Sequence, residues 1–297
     1  MHLKKYIISL YRKESPECIK FILDYAEDLG KAFSAIKQIV RFNEDRDIKL
    51  LIDRIFYLGK VANFYPLLIT FWIKLKKEKK LIKNLFQIIE IFSFRVYCIG
   101  KRITYTGKTK LYRLANHFNN RIIDEISVFN SLVDIVLEYG SDLRFKGNLE
   151  QSLYDKRDRK DLIYLLFEYE KHLRKDIGEP FEIPLEQYLS KDFDIEHIWA
   201  QNPRVLMEKM VEYHEKNVHK LGNLTIAPEG WNKKWGNVSF EEKLPDYKKS
   251  ILRIQRELEQ YEKTGWDHKT IEDRNERLIN FCIKRWNIKK FNPSRMF

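Results

Sequence analysis

Up to residue 173 the apolar residues recur at three- and four-residue intervals, and this spacing constrains the fold more than any other feature of the chain. Leu3, Tyr6, Ile7 and Leu10 form one set, and Ile48, Leu51, Ile52 and Ile55 a second that ends near Gly59. Ile122, Ile126, Phe129, Val133 and Val136 form a third, ending at Gly140, and Leu162, Leu166, Tyr169 and Leu173 a fourth, ending at Ile177-Gly178. Residues spaced in this way share one face of an α-helix, which must be buried against another element. Leu81 to Gly100 is apolar nearly all round, as expected of a central helix. Residues 1–178 therefore predict an α-helical bundle. Phe92, Phe94 and Tyr97 fall at helical spacing and read as core, not as surfaces for stacking on bases.

The pattern changes at Gly178-Glu-Pro-Phe-Glu-Ile-Pro184, where a glycine and two prolines break the periodicity and suggest a connector. A domain boundary is expected there, giving an α-helical domain at 1–178 and a second domain at 179–297. Phe193 to Ile198 alternates apolar and polar as a short strand does, and Asn223-Leu-Thr-Ile226 is a second β-prone run. Arg204 to Lys216 reads as helical. Ser239-Phe-Glu-Glu242 has the form of a capping box and should start a helix, and Thr270 is expected to start the last one. The fold class is mainly α: an N-terminal helical bundle followed by a C-terminal α+β domain.

Charge narrows the partners. The 55 Lys and Arg against 43 Asp and Glu leave a net charge of +12, spread over both parts of the chain, which favours polyanions and nucleic acid first. The basic run Lys74-Leu-Lys-Lys-Glu-Lys-Lys-Leu81 reads as a solvated helix end. Three separated cysteines, Cys18, Cys98 and Cys282, offer neither a disulfide framework nor a cysteine zinc site and fit a reducing, cytoplasmic setting. The longest apolar stretch, Phe64 to Ile73, contains Pro66 and is about half of the roughly 20 residues a spanning helix needs, so a soluble protein without a membrane partner is expected.

The chemistry concentrates in Asp194-Ile-Glu196-His197-Ile198, in His219-Lys-Leu-Gly-Asn223-Leu-Thr-Ile226 and in Trp231-Asn232-Lys233. Hydrolysis of a phosphodiester needs a base beside the attacking water and a cation on the oxygens where negative charge grows. His197 suits the first task, being largely neutral at cellular pH yet able to accept a proton. A hard cation, Mg²⁺ first and Mn²⁺ as the alternative, suits the second, with Glu196 offering an anionic oxygen and Asn232 an amide oxygen. Neighbours on a strand point to opposite faces, so Glu196 and His197 serve one centre only if the strand end is bent or lies at a cleft. Asn223 would hold the His197 ring or the intervening loop. Asp194 is either a second carboxylate near the metal or an exposed strand residue, and Lys243 either contacts a phosphate or is solvated. His219 reads as a loop residue near the hairpin and a candidate DNA contact. It also stands five residues from His214, but with no cysteine nearby the two lack the four ligands of a structural zinc site.

These segments resemble the HNH endonucleases of ββα-metal fold, with Glu196-His197-Ile198 as the first motif, Asn223 as the central one and Asn232 as the third. Together with Phe240, Lys243, Tyr247 and Ser250, and with Trp266, Ile271, Arg274, Leu278 and Trp286, they are similar to the C-terminal nuclease domain of GmrSD-type restriction systems over about residues 185 to 290. The resemblance implies a metal-dependent DNA endonuclease that restricts foreign or modified DNA, with a role in phage defence. It also implies a ParB-like NTPase domain or subunit as partner, but that domain's Asp-Gly-Gln-Gln-Arg signature is absent from this sequence, so NTP hydrolysis is not carried over. Trp199-Ala200 stands where the family commonly places a proline. A non-cleaving nucleic-acid-binding module, or a nuclease subunit that needs a separate NTPase, is the alternative.

Overall fold

Residues 16–155, 159–180 and 193–291 are described by the computed structural model, without the side chains of 232 and 233. The helix expected at Leu3 to Leu10 and residues 181–184 of the expected connector lie outside the described residues. The protein is mainly helical, with one two-stranded sheet among the described residues. No helix among the described residues is long and apolar enough to cross a membrane. All three cysteines are free and buried.

Two compact units form, and neither is continuous in sequence. The first comprises the described residues up to 90, together with 104–135 and Phe291. It contains α1 (Pro16–Val40), α2 (Arg46–Leu58), α3 (Tyr65–Leu75), most of α4 (Lys79–Phe92), α5 (Lys108–Asn119) and the start of α6 (Glu125–Gly140). Helix α2 follows from its ends and its stripe. The Asp45 carboxylate accepts from the backbone N–H groups of Asp47 and Ile48 at 3.0 and 3.1 Å, satisfying donors that a helix start leaves open. Gly59 ends the helix in the left-handed conformation at φ 68°, and Ile48, Leu51, Ile52 and Ile55 are buried between these caps. Phe71 of α3 packs against Phe118 and Phe129, with ring centroids 4.4 and 5.8 Å away.

The second unit comprises residues 91–103 and 136–290. Its centre is a π-helical turn, Ser93–Ile99, in which every residue is buried. Phe94 stacks on Trp286 at 3.9 Å and touches Phe145 and Tyr164, so the aromatics at helical spacing are core, as expected. Against this turn pack α7 (Asp142–Leu149) and α8 (Arg159–Asp176), and α8 in turn packs against the hairpin of β1 (Phe193–His197) and β2 (Leu224–Pro228). The strands are antiparallel, with Glu196 opposite Thr225 and His197 opposite Leu224. A long connection holding α9 (Val211–Asn217) joins them, and four helices follow: α10 (Trp231–Trp235), α11 (Phe240–Lys248), α12 (Arg253–Arg256) and α13 (His268–Arg285). Helices cover both faces of the hairpin, so its residues are buried except Asp194 and, in part, Pro228.

Three expectations need correction. The units do not divide at 178/179, because α8 is tied to the C-terminal elements. Its fully buried Glu170 accepts from the backbone N–H groups of Arg253 and Ile254 at 3.0 and 2.6 Å, and Glu168 pairs with Arg285 at 2.7 Å. The last helix begins earlier than Thr270. Asp267 is its N-cap and Thr270 completes the capping box from the third helical position. In the stretch from Arg204 to Lys216, helix starts only at Glu208 with a 3₁₀ turn that leads into α9.

Candidate functional site

The end of β1 is fixed from two directions. Gly222, just before β2, lies against α13, where an added Cβ would overlap the Ile271 carbonyl oxygen and come within 2.8 Å of the Asn275 backbone. Only glycine allows this approach. Its N–H donates to Asn275 Oδ1 at 2.9 Å, and Arg274 Nη1 donates to the carbonyls of Gly222 and Leu224, both at 2.8 Å, while its Nε pairs with Glu257. Asn223 uses its whole side-chain amide from this anchored position. Its Oδ1 accepts from Trp199 N–H at 2.8 Å and Trp266 Nε1 at 2.9 Å, and its Nδ2 donates to the carbonyls of Trp199 and Val218, both at 2.9 Å. Asn223 therefore binds the loop after β1 and not the His197 ring.

Glu196 and His197 have different neighbours, in keeping with the pleat of a strand. The Glu196 carboxylate meets Lys243 of α11, whose Nζ donates to Glu196 Oε1 at 2.6 Å, to His197 O at 2.8 Å and to Ile198 O at 3.3 Å. Lys243 is wholly buried, which corrects the expectation that it is solvated or reaches a phosphate: all three of its N–H groups are spent on the end of β1. Burial raises the proton affinity of Glu196, and the ammonium opposes that rise.

The His197 ring lies between two other rings. Its Nε2 is 3.2 Å from His219 Nδ1, and Tyr154 meets it edge-on at 4.4 Å while stacking on His219. The His219 carbonyl accepts from the N–H groups of Leu153 and Tyr154, which ties this loop to the segment after α7. Burial first, and then the neighbouring His219, Lys243 and His214, push the His197 pKa down to about 3, so the ring is neutral at physiological pH. His214 turns away to the Ala200 carbonyl at 2.9 Å, which removes it from any shared metal site with His219.

Asp194 is exposed and pairs with Arg159 of α8 at 2.6 Å, which answers the alternatives left open for it in favour of a surface ion pair. Asn232 lies on α10, and its side chain is outside the described residues. Among the described residues, no group of three or more His, Cys, Asp and Glu side chains is placed to hold a metal ion. The donor chemistry fits a divalent ion of the Mg²⁺ type in part. Glu196 supplies one anionic oxygen. Two buried hydroxyls near it, Thr225 Oγ1 across the hairpin and Tyr247 Oη, have no hydrogen-bond partner among the described residues. Against this, Lys243 already neutralises Glu196 Oε1. Sequence reasoning missed Tyr154, Arg159 and the Lys243–Glu196 pair, because each acts through a partner far away in the chain.

A neutral imidazole and a buried, ion-paired carboxylate thus stand on adjacent residues of one strand end and meet different partners. Residues 139–281, a little under half of the chain, match the family model of the GmrSD restriction endonucleases, C-terminal domain, and this segment is similar to that domain. The likeness is thus to a nuclease domain of restriction type. The matched residues include α8, the whole hairpin, Lys243 and most of α13. No curated protein matches the chain.

Proposed function

We propose that this protein is a metal-dependent DNA endonuclease of HNH type that restricts foreign or modified DNA, as in phage defence. The observation that carries the reading is the His197 imidazole, held neutral at the end of β1 with its Nε2 turned to His219. Nδ1 of His197 is then the nitrogen left to accept a proton from the attacking water, as the new P–O bond forms and the bond to the leaving oxygen breaks. His219 aims the ring, Asn223 fixes the loop on which the strand end depends, and Lys243 holds Glu196 and the two carbonyls that follow it. A bound Mg²⁺ or Mn²⁺, held by Glu196 and Asn232, would supply positive charge to the phosphate oxygens. An anionic phosphate beside His197 would raise its depressed proton affinity toward the range useful for a base.

One observation favours a second arrangement. Glu196 and His197 are only 7% and 6% exposed, and the Tyr154 and His219 rings lie against the His197 ring, so a duplex reaches His197 only after they move. A partner such as a ParB-like NTPase subunit would be one way of moving them. Supercoiled plasmid incubated with Mg²⁺, with Mn²⁺ and with EDTA tests the proposal. Cleavage that needs the metal and is lost in His197→Ala is expected. Cleavage equal in His197→Ala and the parent would overturn it.

A further inference from the structure

A second cationic feature lies in the first unit, far in sequence from the hairpin. Helices α1 and α3 pack together through Trp72, whose Nε1 donates to Gln38 Oε1 at 3.0 Å and whose ring meets Phe42 edge-on at 5.4 Å. This contact sets the C-terminal end of α1, with Lys37 and Arg41, opposite the turn between α3 and α4, with Lys76, Lys77 and Lys79. Between them is an open cleft of about 790 Å³, lined by these five cations and one carboxylate, Glu44. Three other cations of this unit are neutralised locally: Lys31 pairs with Glu27, Lys49 with Asp53 and Lys83 with Asp47. Among the described residues Lys37, Arg41, Lys77 and Lys79 form no ion pair, and Lys76 meets only the uncharged Gln38, at 3.3 Å.

Helix dipoles explain part of this set and not the rest. Lys37 lies in the last turn of α1, Arg41 just past it, and Lys76 and Lys77 just past the end of α3, where positive charge is favourable. Lys79 instead opens α4, with Lys80 beside it and no acidic residue in the first turn, at the end where positive charge is unfavourable. An anion in the cleft would relieve both this placement and the mutual repulsion of the five side chains. Ser34, Gln38 and Asn43 add polar groups of the type that contact phosphate and sugar oxygens. Trp72 is only 4% exposed, so its ring offers no face to a base. The run Lys74 to Leu81 contains the end of α3 and its lysines are exposed, as expected, and it also faces a second cationic element from α1.

We infer that this cleft binds the phosphate backbone of duplex nucleic acid, without regard to sequence, as a binding surface additional to the nuclease domain. The choice of nucleic acid over another polyanion rests on the reading of the second unit as a DNA endonuclease. The test is fluorescence anisotropy of a labelled duplex with the full chain carrying His197→Ala, in EDTA, titrated with salt, so that binding is read without cleavage. Replacing Lys37, Arg41 and Lys77 together by Gln should lower the slope of log K against log salt by about 0.9 for each phosphate no longer neutralised, roughly 2.7 for three, with the far-UV circular dichroism unchanged. An unchanged slope in the folded variant would overturn the inference. So would competition by polyglutamate as strong as that of unlabelled duplex at equal charge, since the cleft would then be a site for acidic polypeptides. Failure of the endonuclease reading itself appears separately, as plasmid cleavage that survives His197→Ala.

Discussion

Replacing Lys243 by Met isolates the interaction on which the shape of the site depends. The side chain is wholly buried and its three N–H groups are shared among Glu196 Oε1 and the carbonyls of His197 and Ile198. Methionine fills a similar volume but leaves a carboxylate that is 7% exposed and two carbonyl oxygens without this donor. Breaking a buried pair by removing one partner costs about 3–5 kcal/mol, because the remaining charge stays out of water. Glu196 can limit the loss by taking up a proton, since burial already favours its neutral form, so the lower half of that range is expected. Urea unfolding of Lys243→Met, Glu196→Gln and the double variant forms a double-mutant cycle. The double variant should be less destabilised than the sum of the single ones, with a coupling of about 0.5–3 kcal/mol. A Lys243→Met protein destabilised by less than about 1 kcal/mol, the level of an exposed pair, would refute the buried-pair account.

Further outcomes follow from the same geometry. Gly222→Ala should destabilise the protein and lower nuclease activity, because the new methyl group displaces Ile271 and Asn275 of α13; a thermal melt equal to that of the parent would contradict this. Asn223→Leu, which removes four hydrogen bonds at a fully buried position, should destabilise the loop after β1 more than Asp194→Asn, which alters one exposed ion pair, with urea midpoints as the measure. Stability should also fall with acidity. His197 has a folded pKa near 3 against about 6.5 when unfolded, so between these values the unfolded chain binds more protons. Its contribution is present in full above pH 6.5 and is lost as the pH falls toward 3. His197→Phe should therefore flatten the dependence of the urea midpoint on pH in that window, and equal slopes for variant and parent would count against the neutral buried ring.

Much of the fold follows from local rules visible in the chain. The Ile48 stripe, its Asp45 and Gly59 ends and the Ser239–Glu242 capping box depend on residues within a few positions of one another. The two strands also lie close to where alternation placed them. Other features depend on partners that sequence distance hides. Lys243 on a helix after a capping box reads as solvated, and only the meeting with Glu196, 47 residues earlier, buries it. Helix α8 shares its periodicity with the preceding bundle, yet Glu170 ties it to backbone N–H groups 83 and 84 residues later and so moves the unit boundary. Asn223 reads in the sequence as a residue of the second strand that holds the His197 ring or the loop, whereas the structure puts it just before that strand with Trp199, Val218 and Trp266 as partners, which sequence distance hides.

The central claim is that the His197 ring takes the proton from water at the scissile phosphate. Single-turnover cleavage of one duplex by the parent and by His197→Ala, with matched melting curves and saturating Mg²⁺, measures it directly. A loss of about 10²–10⁴-fold in the cleavage rate with binding retained is predicted, the range general base catalysis supplies. A rate within about threefold of the parent would mean that His197 is not the base.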